Sequence, residues 1–344
     1  MRFARATLLA SALIGCVFVA GWKVGDPPGK QMQAFADSFI GSLDEQQKAV
    51  AVLPYDTPKR VGWHFIPMKT RKGLVMREMN AAQRVAALRL VRAALSEAGY
   101  DKASKIMLLE GVLRELEGEG RNWERDPEKY FVTIFGTPSE TDAWGLSFEG
   151  HHLSLNFVCR GGRVVDSTPQ FFAANPGTIM EEVSGPLGKG TRVLREEEDL
   201  AFKLVNSLNE IQGGEAIIDE KAPKEIRFAG EPQSDAGEPE GIAQRTLNAD
   251  QKALLQELVY VYANAVADDV AEQRREQIEH DGWGDVHFAW AGATKPGIGH
   301  YYRIQGANFL IEFVNTQADA AGNPANHIHS VYRDLSGDFD LPIK

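Results

Sequence analysis

The chain has 344 residues, of which 43% are hydrophobic and 25% are charged, and its formal net charge is −11. This composition is that of a globular protein, and it excludes a disordered chain, a collagen-like repeat and a polytopic membrane protein. The length favours two domains. The negative charge argues against general nucleic-acid binding. With two cysteines, a disulfide framework and a cysteine-rich zinc site are excluded.

The first 22 residues have the pattern of an export signal. Arg2 and Arg5 precede a run of 17 uncharged residues, Ala6 to Trp22. Residues 13–16 resemble a bacterial lipobox, although the chain stays apolar after Cys16. We therefore expect a periplasmic or cell-envelope protein, and three fates of this segment remain open: a cleaved signal, a lipoprotein linked through Cys16, or an uncleaved membrane anchor.

Two stretches of the chain resemble each other. An Asn-x-x-Gln motif at 80–83 returns at 248–251, and each copy predicts a capped helix start. Farther along, the strand pattern of 148–158 returns at 304–314. We infer an internal duplication, in which each unit consists of two helices followed by strands. The predicted fold is α+β, with two related helix-helix-antiparallel-sheet units in a pseudo-twofold arrangement.

The predicted organisation has five parts. One additional helix is expected near residues 31–51, and the last strand of each unit near 163–171 and 327–333. The segment between the units is rich in Gly, Pro, Asp and Glu, which is typical of a linker. The parts are an export signal or membrane anchor (1–22), an N-terminal helix and arm (23–78), repeat unit 1 (79–212), an acidic linker (213–246) and repeat unit 2 (247–344).

Four of the eight histidines fall in two short motifs, at 151–152 and 327–329. Because side chains alternate along a strand, His327 and His329 share one face. A hairpin centred between residues 320 and 321 places Glu312 opposite His329. Two imidazoles and one carboxylate on a common face predict a metal site with open positions, which suits zinc, non-haem iron or copper.

The first unit adds a further candidate ligand. His152 has the strand parity that corresponds to Glu312 in the second unit, so we expect it to face the site across the interface between the units. The predicted site therefore has His152, Glu312, His327 and His329 as metal ligands, His300 or His64 as a supporting group or general base, and Asn326 or Asp334 as the residue that orients an imidazole.

Several segments resemble an uncharacterised bacterial family, the domain of unknown function numbered 3500. The most distinctive are Glu149-Gly-His-His-Leu-Ser-Leu-Asn156 and Asn326-His-Ile-His-Ser-Val-Tyr-Arg-Asp334. Shorter matches lie at 63–67, 288–292 and 300–303, and the resemblance spans nearly the whole exported part. Because the family has no assigned activity, the resemblance implies no catalytic roles.

Two functional hypotheses follow. The first is an exported protein with a divalent transition metal, acting as a hydrolase or an oxidoreductase on an unidentified small molecule. The second is a metal-free binding or scaffold protein of the envelope, whose histidines are structural. No nucleic-acid partner is expected, a membrane tether through the N-terminus is one of the open alternatives, and the sequence does not indicate an oligomeric state.

Overall fold

The computed structural model describes residues 27–120 and 123–342, so the predicted export signal lies outside the described residues. Within them, no helix combines the length and the apolar character that a membrane span requires. The helices are α1 (Pro28–Gly41), α2 (Glu45–Ala51), α3 (Ala81–Ala94), α4 (Glu97–Glu117), α5 (Arg195–Ser207), α6 (Glu210–Ala216), α7 (Ala249–Ala263) and α8 (Asp268–Asp281).

All strands of the described chain belong to one mixed sheet. They are β1 (Val52–Leu53), β2 (Leu74–Val75), β3 (Phe131–Phe135), β4 (Trp144–Gly150), β5 (Leu153–Arg160), β6 (Arg163–Asp166), β7 (Gln170–Ala174), β8 (Ile217–Asp219), β9 (Ile242–Ala243), β10 (His287–Gly292), β11 (His300–Gln305), β12 (Phe309–Gln317) and β13 (His327–Asp334).

The strand order is β1-β3-β4-β5-β7-β13-β12-β11-β10-β8, with β2, β6 and β9 as side branches. From the β1 edge to β7, and from the β8 edge to β13, neighbouring strands follow one another in chain order. The halves meet where β7 pairs antiparallel with β13. Only the short edge strands β1 and β8 run parallel to their neighbours. The predicted α+β class is confirmed.

The two faces of the sheet are covered differently. Apolar side chains from all eight described helices form one large cluster with strand residues such as Phe172 and Tyr332. The adjacent residues Phe171 and Val331 enter a second, smaller cluster on the opposite face, as strand alternation requires. There they pack beneath two irregular segments, which we call the arm (residues 54–73) and the crossing segment (residues 220–241).

The predicted capped helix starts are confirmed. Asn80 caps α3 by accepting from the backbone N–H of Gln83, whose side chain accepts in return from the Asn80 N–H. The buried Gln83 amide also donates to the Ser42 carbonyl and to Gln47 of α2. Gln251 of α7 makes the same bonds with Asn248, Ser207 and Gln212. Each capping box therefore also joins its helix to the short helix before it.

Two predicted elements are divided in the structure. The expected helix near 31–51 is two helices, because the Asp44 side chain accepts from the Gln47 N–H and begins α2. The expected strand near 163–171 is split into β6 and β7. Between them Asp166 accepts from the backbone N–H groups of Ser167 and Thr168, and Pro169 has no N–H to offer a neighbouring strand.

The predicted linker region contains the end of α6, β8, β9 and the crossing segment. The crossing segment ends at Gly241, and the arm ends at Gly73. Both glycines have positive φ, +86° and +89°, and a Cβ added to either would lie 2.2 to 2.5 Å from the backbone oxygen of Phe288 or Val132. Only glycine permits this close return of the chain to β10 or β3.

We expect Gln83→Ala to lower the free energy of unfolding by about 1–3 kcal/mol, because the hydrogen bonds of the buried Gln83 amide to the Ser42 carbonyl and the Asn80 N–H are lost. Urea denaturation followed by circular dichroism measures the change. Gln46→Ala, an exposed position in α2, is the matched control and should stay within about 0.5 kcal/mol of wild type. Equal effects of the two substitutions would contradict a stabilising role of the network.

Candidate metal centre

Three imidazoles converge where the two halves of the sheet meet. His152 Nε2 lies 2.9 Å from His327 Nε2, His327 Nε2 lies 3.0 Å from His329 Nε2, and His329 Nε2 lies 3.4 Å from His152 Nε2. These three side chains form the one group of potential metal ligands found in the described part of the chain. His152 comes from the N-terminal half of the sheet, and His327 and His329 come from β13.

The spacing of the three nitrogens fits a metal ion. With metal–nitrogen bonds of about 2.0–2.1 Å, ligand nitrogens lie about 2.9 Å apart at right angles and about 3.4 Å apart at the tetrahedral angle. The observed 2.9 to 3.4 Å covers this range. When all three nitrogens are deprotonated, their lone pairs repel each other, and a cation placed between them removes the repulsion. The arrangement therefore has the donor set and the size of a three-coordinate site.

A tight turn positions His152. It lies between β4 and β5 with φ of +63°, a conformation that non-glycine residues rarely adopt. Its N–H donates to the Phe65 carbonyl of the arm, and its carbonyl accepts from the Ala173 N–H of β7, both at 2.9 Å. The ring stacks on His151, with ring centroids 3.7 Å apart. Strain at such a residue persists only where its surroundings hold it, here the arm and β7.

His151 itself points away from the cluster. Its Nδ1 lies 2.5 Å from Glu110 Oε1 of α4, and Arg125 approaches the same nitrogen at 3.1 Å. This buried pair fixes the ring against which His152 stacks. The adjacent histidines of the Gly-His-His motif therefore have different roles: one joins the cluster, and the other supports it.

The second nitrogens of the β13 histidines have partners that set their protonation. His329 Nδ1 lies 2.8 Å from both carboxylate oxygens of Glu225, so it carries the proton and leaves the Nε2 lone pair free. His327 Nδ1 lies 3.4 Å from the Asn175 amide nitrogen, while Asn175 Oδ1 is buried without a partner. The oxygen and nitrogen of an amide are assigned by their contacts. When the Asn175 amide is turned so that Oδ1 faces His327 Nδ1, the imidazole N–H and the amide oxygen are partners of each other.

Burial keeps two of these imidazoles neutral. It holds the pKa of His152 well below its ordinary value of 6.5, and the neighbouring histidine charges lower it further. Burial is the largest cause that lowers the pKa of His327, and the charge of His329 is the second; together they bring it to about 2. The neutral ring is the form that binds a metal ion.

The structure places Glu312 outside this cluster. The expected register was wrong by two residues, because Val314 and not Glu312 pairs with His329 and a bulge follows in β12. Glu312 keeps the predicted face but pairs with Val331. Its Oε1 accepts from the Tyr301 hydroxyl at 2.6 Å and from the Arg227 N–H at 3.2 Å.

The two predicted supporting histidines lie in different places. His64 belongs to the arm, and its ring neighbours Phe65, whose own ring lies 4.8 Å from that of His329. His300 lies on the helix-covered face, parallel to the Trp290 ring, with Nδ1 directed at the Ile298 carbonyl. The structure therefore brings His64 near the cluster and His300 away from it.

Sequence reasoning missed the groups that orient the imidazoles. Asn326 bonds to Thr178 and Asp319, and Asp334 bonds to Ser336, so neither takes the expected role. Glu225 and Asn175 contact the histidines instead. Both are more than 100 residues away from their partners in the chain, and no local pattern marks them.

Chelator-treated protein should lose stability below pH 6.5, because unfolded His327 takes up a proton that the folded residue, with a pKa of about 2, does not. The stability that the neutral, buried His327 contributes is complete above pH 6.5 and declines as the pH falls. Between pH 7 and 5, wild type should lose about 2 kcal/mol more than His327→Asn, as measured by urea denaturation at each pH.

The matched control is His280→Asn, because the His280 side chain is 82% exposed. It should retain the wild-type dependence of stability on pH. Parallel curves for wild type and His327→Asn would contradict a buried, neutral His327.

The chain matches a protein family that has no assigned activity. A family model described as a protein of unknown function, DUF3500, matches residues 26–341. No functionally curated protein and no solved structure shows significant similarity to the chain. The matched region includes every residue of the histidine cluster and its partners, and the chain belongs to the DUF3500 family.

Proposed function

We propose that this protein is a metal-dependent hydrolase with a three-histidine centre formed by His152, His327 and His329. The convergence of their Nε2 atoms to within 2.9 to 3.4 Å is the observation that carries the proposal. Three protein ligands leave at least one position open, which distinguishes a catalytic from a closed structural site. His327 is only half-buried, so the open side reaches solvent near this residue.

The ligand set favours hydrolysis over oxidation. Two histidines with one carboxylate are typical of non-haem iron oxygenases, whereas three histidines hold catalytic zinc in carbonic anhydrase. Here His152 occupies the place expected for Glu312, and the Glu225 carboxylate contacts the far nitrogen of His329. Three neutral ligands leave the full charge of a divalent ion available, and such an ion supplies an activated water and polarises a substrate carbonyl or phosphoryl group.

The surrounding residues have distinct tasks in this proposal. Glu225 fixes the tautomer of His329, and Asn175 does the same for His327. Phe65 and Phe171 stack with centroids 4.0 Å apart and shield one side of His329 from water. A dry, fixed set of ligands needs little rearrangement when it binds a metal ion.

We propose export to the periplasm or cell envelope, supported by the uncharged run at residues 6–22 and by a family match that begins at residue 26. We also propose that the two halves arose by duplication and are related by a pseudo-twofold axis. The matching strand orders and the matching bonds of Gln83 and Gln251 support this relation. The cluster then lies at the interface of the two units.

Purified wild-type protein should hold about one divalent transition-metal ion per chain, since a His₃ site takes a single ion. Inductively coupled plasma mass spectrometry after dialysis measures the content. His327→Ala should lose the ion, and His280→Ala, which removes an exposed histidine, should retain it. After reloading with zinc, wild type should hydrolyse 4-nitrophenyl acetate, and His327→Ala should not.

Two other results of this experiment would contradict parts of the proposal. Metal-free wild type from cultures supplemented with zinc, iron or copper would contradict the centre and favour a scaffold protein with structural histidines. Stoichiometric iron or copper, with no binding of zinc, would contradict hydrolysis and favour an oxidoreductase.

Glu225→Gln should weaken metal binding by about 10- to 100-fold, because the carboxylate that holds the Nδ1 proton of His329 is lost. Competition with a chromophoric zinc chelator measures the affinity. Glu220→Gln removes an exposed carboxylate of the same crossing segment, and its affinity should match that of wild type. Equal weakening in both variants would assign the effect to overall charge.

A further inference from the structure

The arm differs in charge from the rest of the chain. The arm, residues 54–73, contains five cationic residues and one carboxylate, Asp56, although the net charge of the chain is −11. Lys72 is neutralised by buried Glu149, and buried Arg60 donates to the carbonyls of Tyr55 and Phe339. The other three are Lys59, Lys69 and Arg71.

The arm folds back on itself and encloses a groove. We call it the arm groove, and its walls include Lys59, Trp63, His64, Arg71 and the Lys72–Glu149 pair. Glu149 is the one carboxylate among the groove's lining residues, and it faces three cations, Lys59, Arg71 and Lys72. The groove is therefore electropositive, and Trp63 gives it an aromatic wall.

Arg71 is a half-buried cation of this groove. Its guanidinium donates to the backbone carbonyls of His64 and Ile66, and among the described residues no carboxylate lies within ion-pair distance of it. Burial lowers the pKa of Arg71, which reflects the free energy of holding a charge away from water. An anion in the groove would compensate that charge.

His64 adds a neutral donor. Its Nδ1 accepts from the Phe65 N–H at 3.0 Å, so the proton is on Nε2. Lys59 is exposed at the mouth of the groove, and among the described residues no acidic side chain pairs with it. A cation at the mouth, a half-buried guanidinium and a ring N–H together form a set of donors suited to an oxyanion.

The same arm reaches the metal centre. Phe65 follows His64 directly, its carbonyl accepts from the His152 N–H, and its ring lies 4.8 Å from that of His329. One aromatic residue thus separates the groove from two of the proposed ligands. The groove therefore adjoins the centre across the buried Phe65 ring.

We propose that the arm groove binds an oxyanion group, a phosphate or a carboxylate, of the substrate on which the histidine centre acts. The identification of this ligand as a substrate rests on the proposed function, but binding of the anion does not. Lys59 and Arg71 supply the charge, and His64 donates from Nε2. The substrate class is therefore an anionic small molecule.

Isothermal titration of the chelator-treated full chain with inorganic phosphate, and separately with succinate, tests the site at low ionic strength. We expect saturable binding that weakens as sodium chloride is raised, because salt screens the charges. Lys59→Gln should weaken binding at least about fivefold, in line with the loss of one charged partner. The exposed Lys189→Gln is the matched control and should bind as wild type does. The tighter of the two anions identifies the group that the substrate carries.

A second pair of variants separates charge from positioning of the arm. Arg71→Lys should retain most of the affinity, and Arg71→Gln should lose it while circular dichroism stays that of the folded protein. Absence of binding for both anions, or equal weakening in Lys59→Gln and Lys189→Gln, would overturn the proposal. His327→Ala should bind the anion with wild-type affinity, so loss of the metal centre and loss of the anion site are told apart.

Discussion

The pairing of β7 with β13 is the contact on which the rest of the structure depends. It joins two half-sheets into one layer, with Ala173 opposite His329 and Ala174 opposite Ile328. The small Ala173 side chain leaves room on the face where the histidines lie. The same strand accommodates His152, since the Ala173 N–H donates to its carbonyl. Without this pair, residues from the two halves would not share a site.

The second constraint is the polar character of the face opposite the helices. Sheet residues such as Ser147, Glu149, Arg303 and Glu312 are buried there, and a buried polar group needs a partner. The arm and the crossing segment supply many of these partners through their backbones and charged side chains, as Arg227 does for Glu312 and Lys72 for Glu149. Irregular chain fits this task because its carbonyl and N–H groups are not used within a sheet. Glu225 reaches His329 from such a segment.

Much of the fold and part of the site could be predicted from local pattern. The capped helices and the α+β class follow from short motifs, and alternation along a strand puts His327 and His329 on one face. Glu312 was misplaced because the loop between the two strands does not fix the register, and the observed pairing differs from the expected one by two residues. The ligand that replaces it, His152, was expected on a strand but lies in a turn with positive φ.

The sequence by itself determined which side chains are available and how they alternate: paired histidines in two motifs, Asn-x-x-Gln helix starts and a cation-rich arm. These properties depend on neighbours a few residues apart. Tertiary structure alone decided that His152 meets His327 from 175 residues away, that Glu225 and Asn175 orient the imidazoles, and that the arm lies beside them. Such contacts depend on strand order and on how segments cross the sheet, which are set by burial over the whole fold.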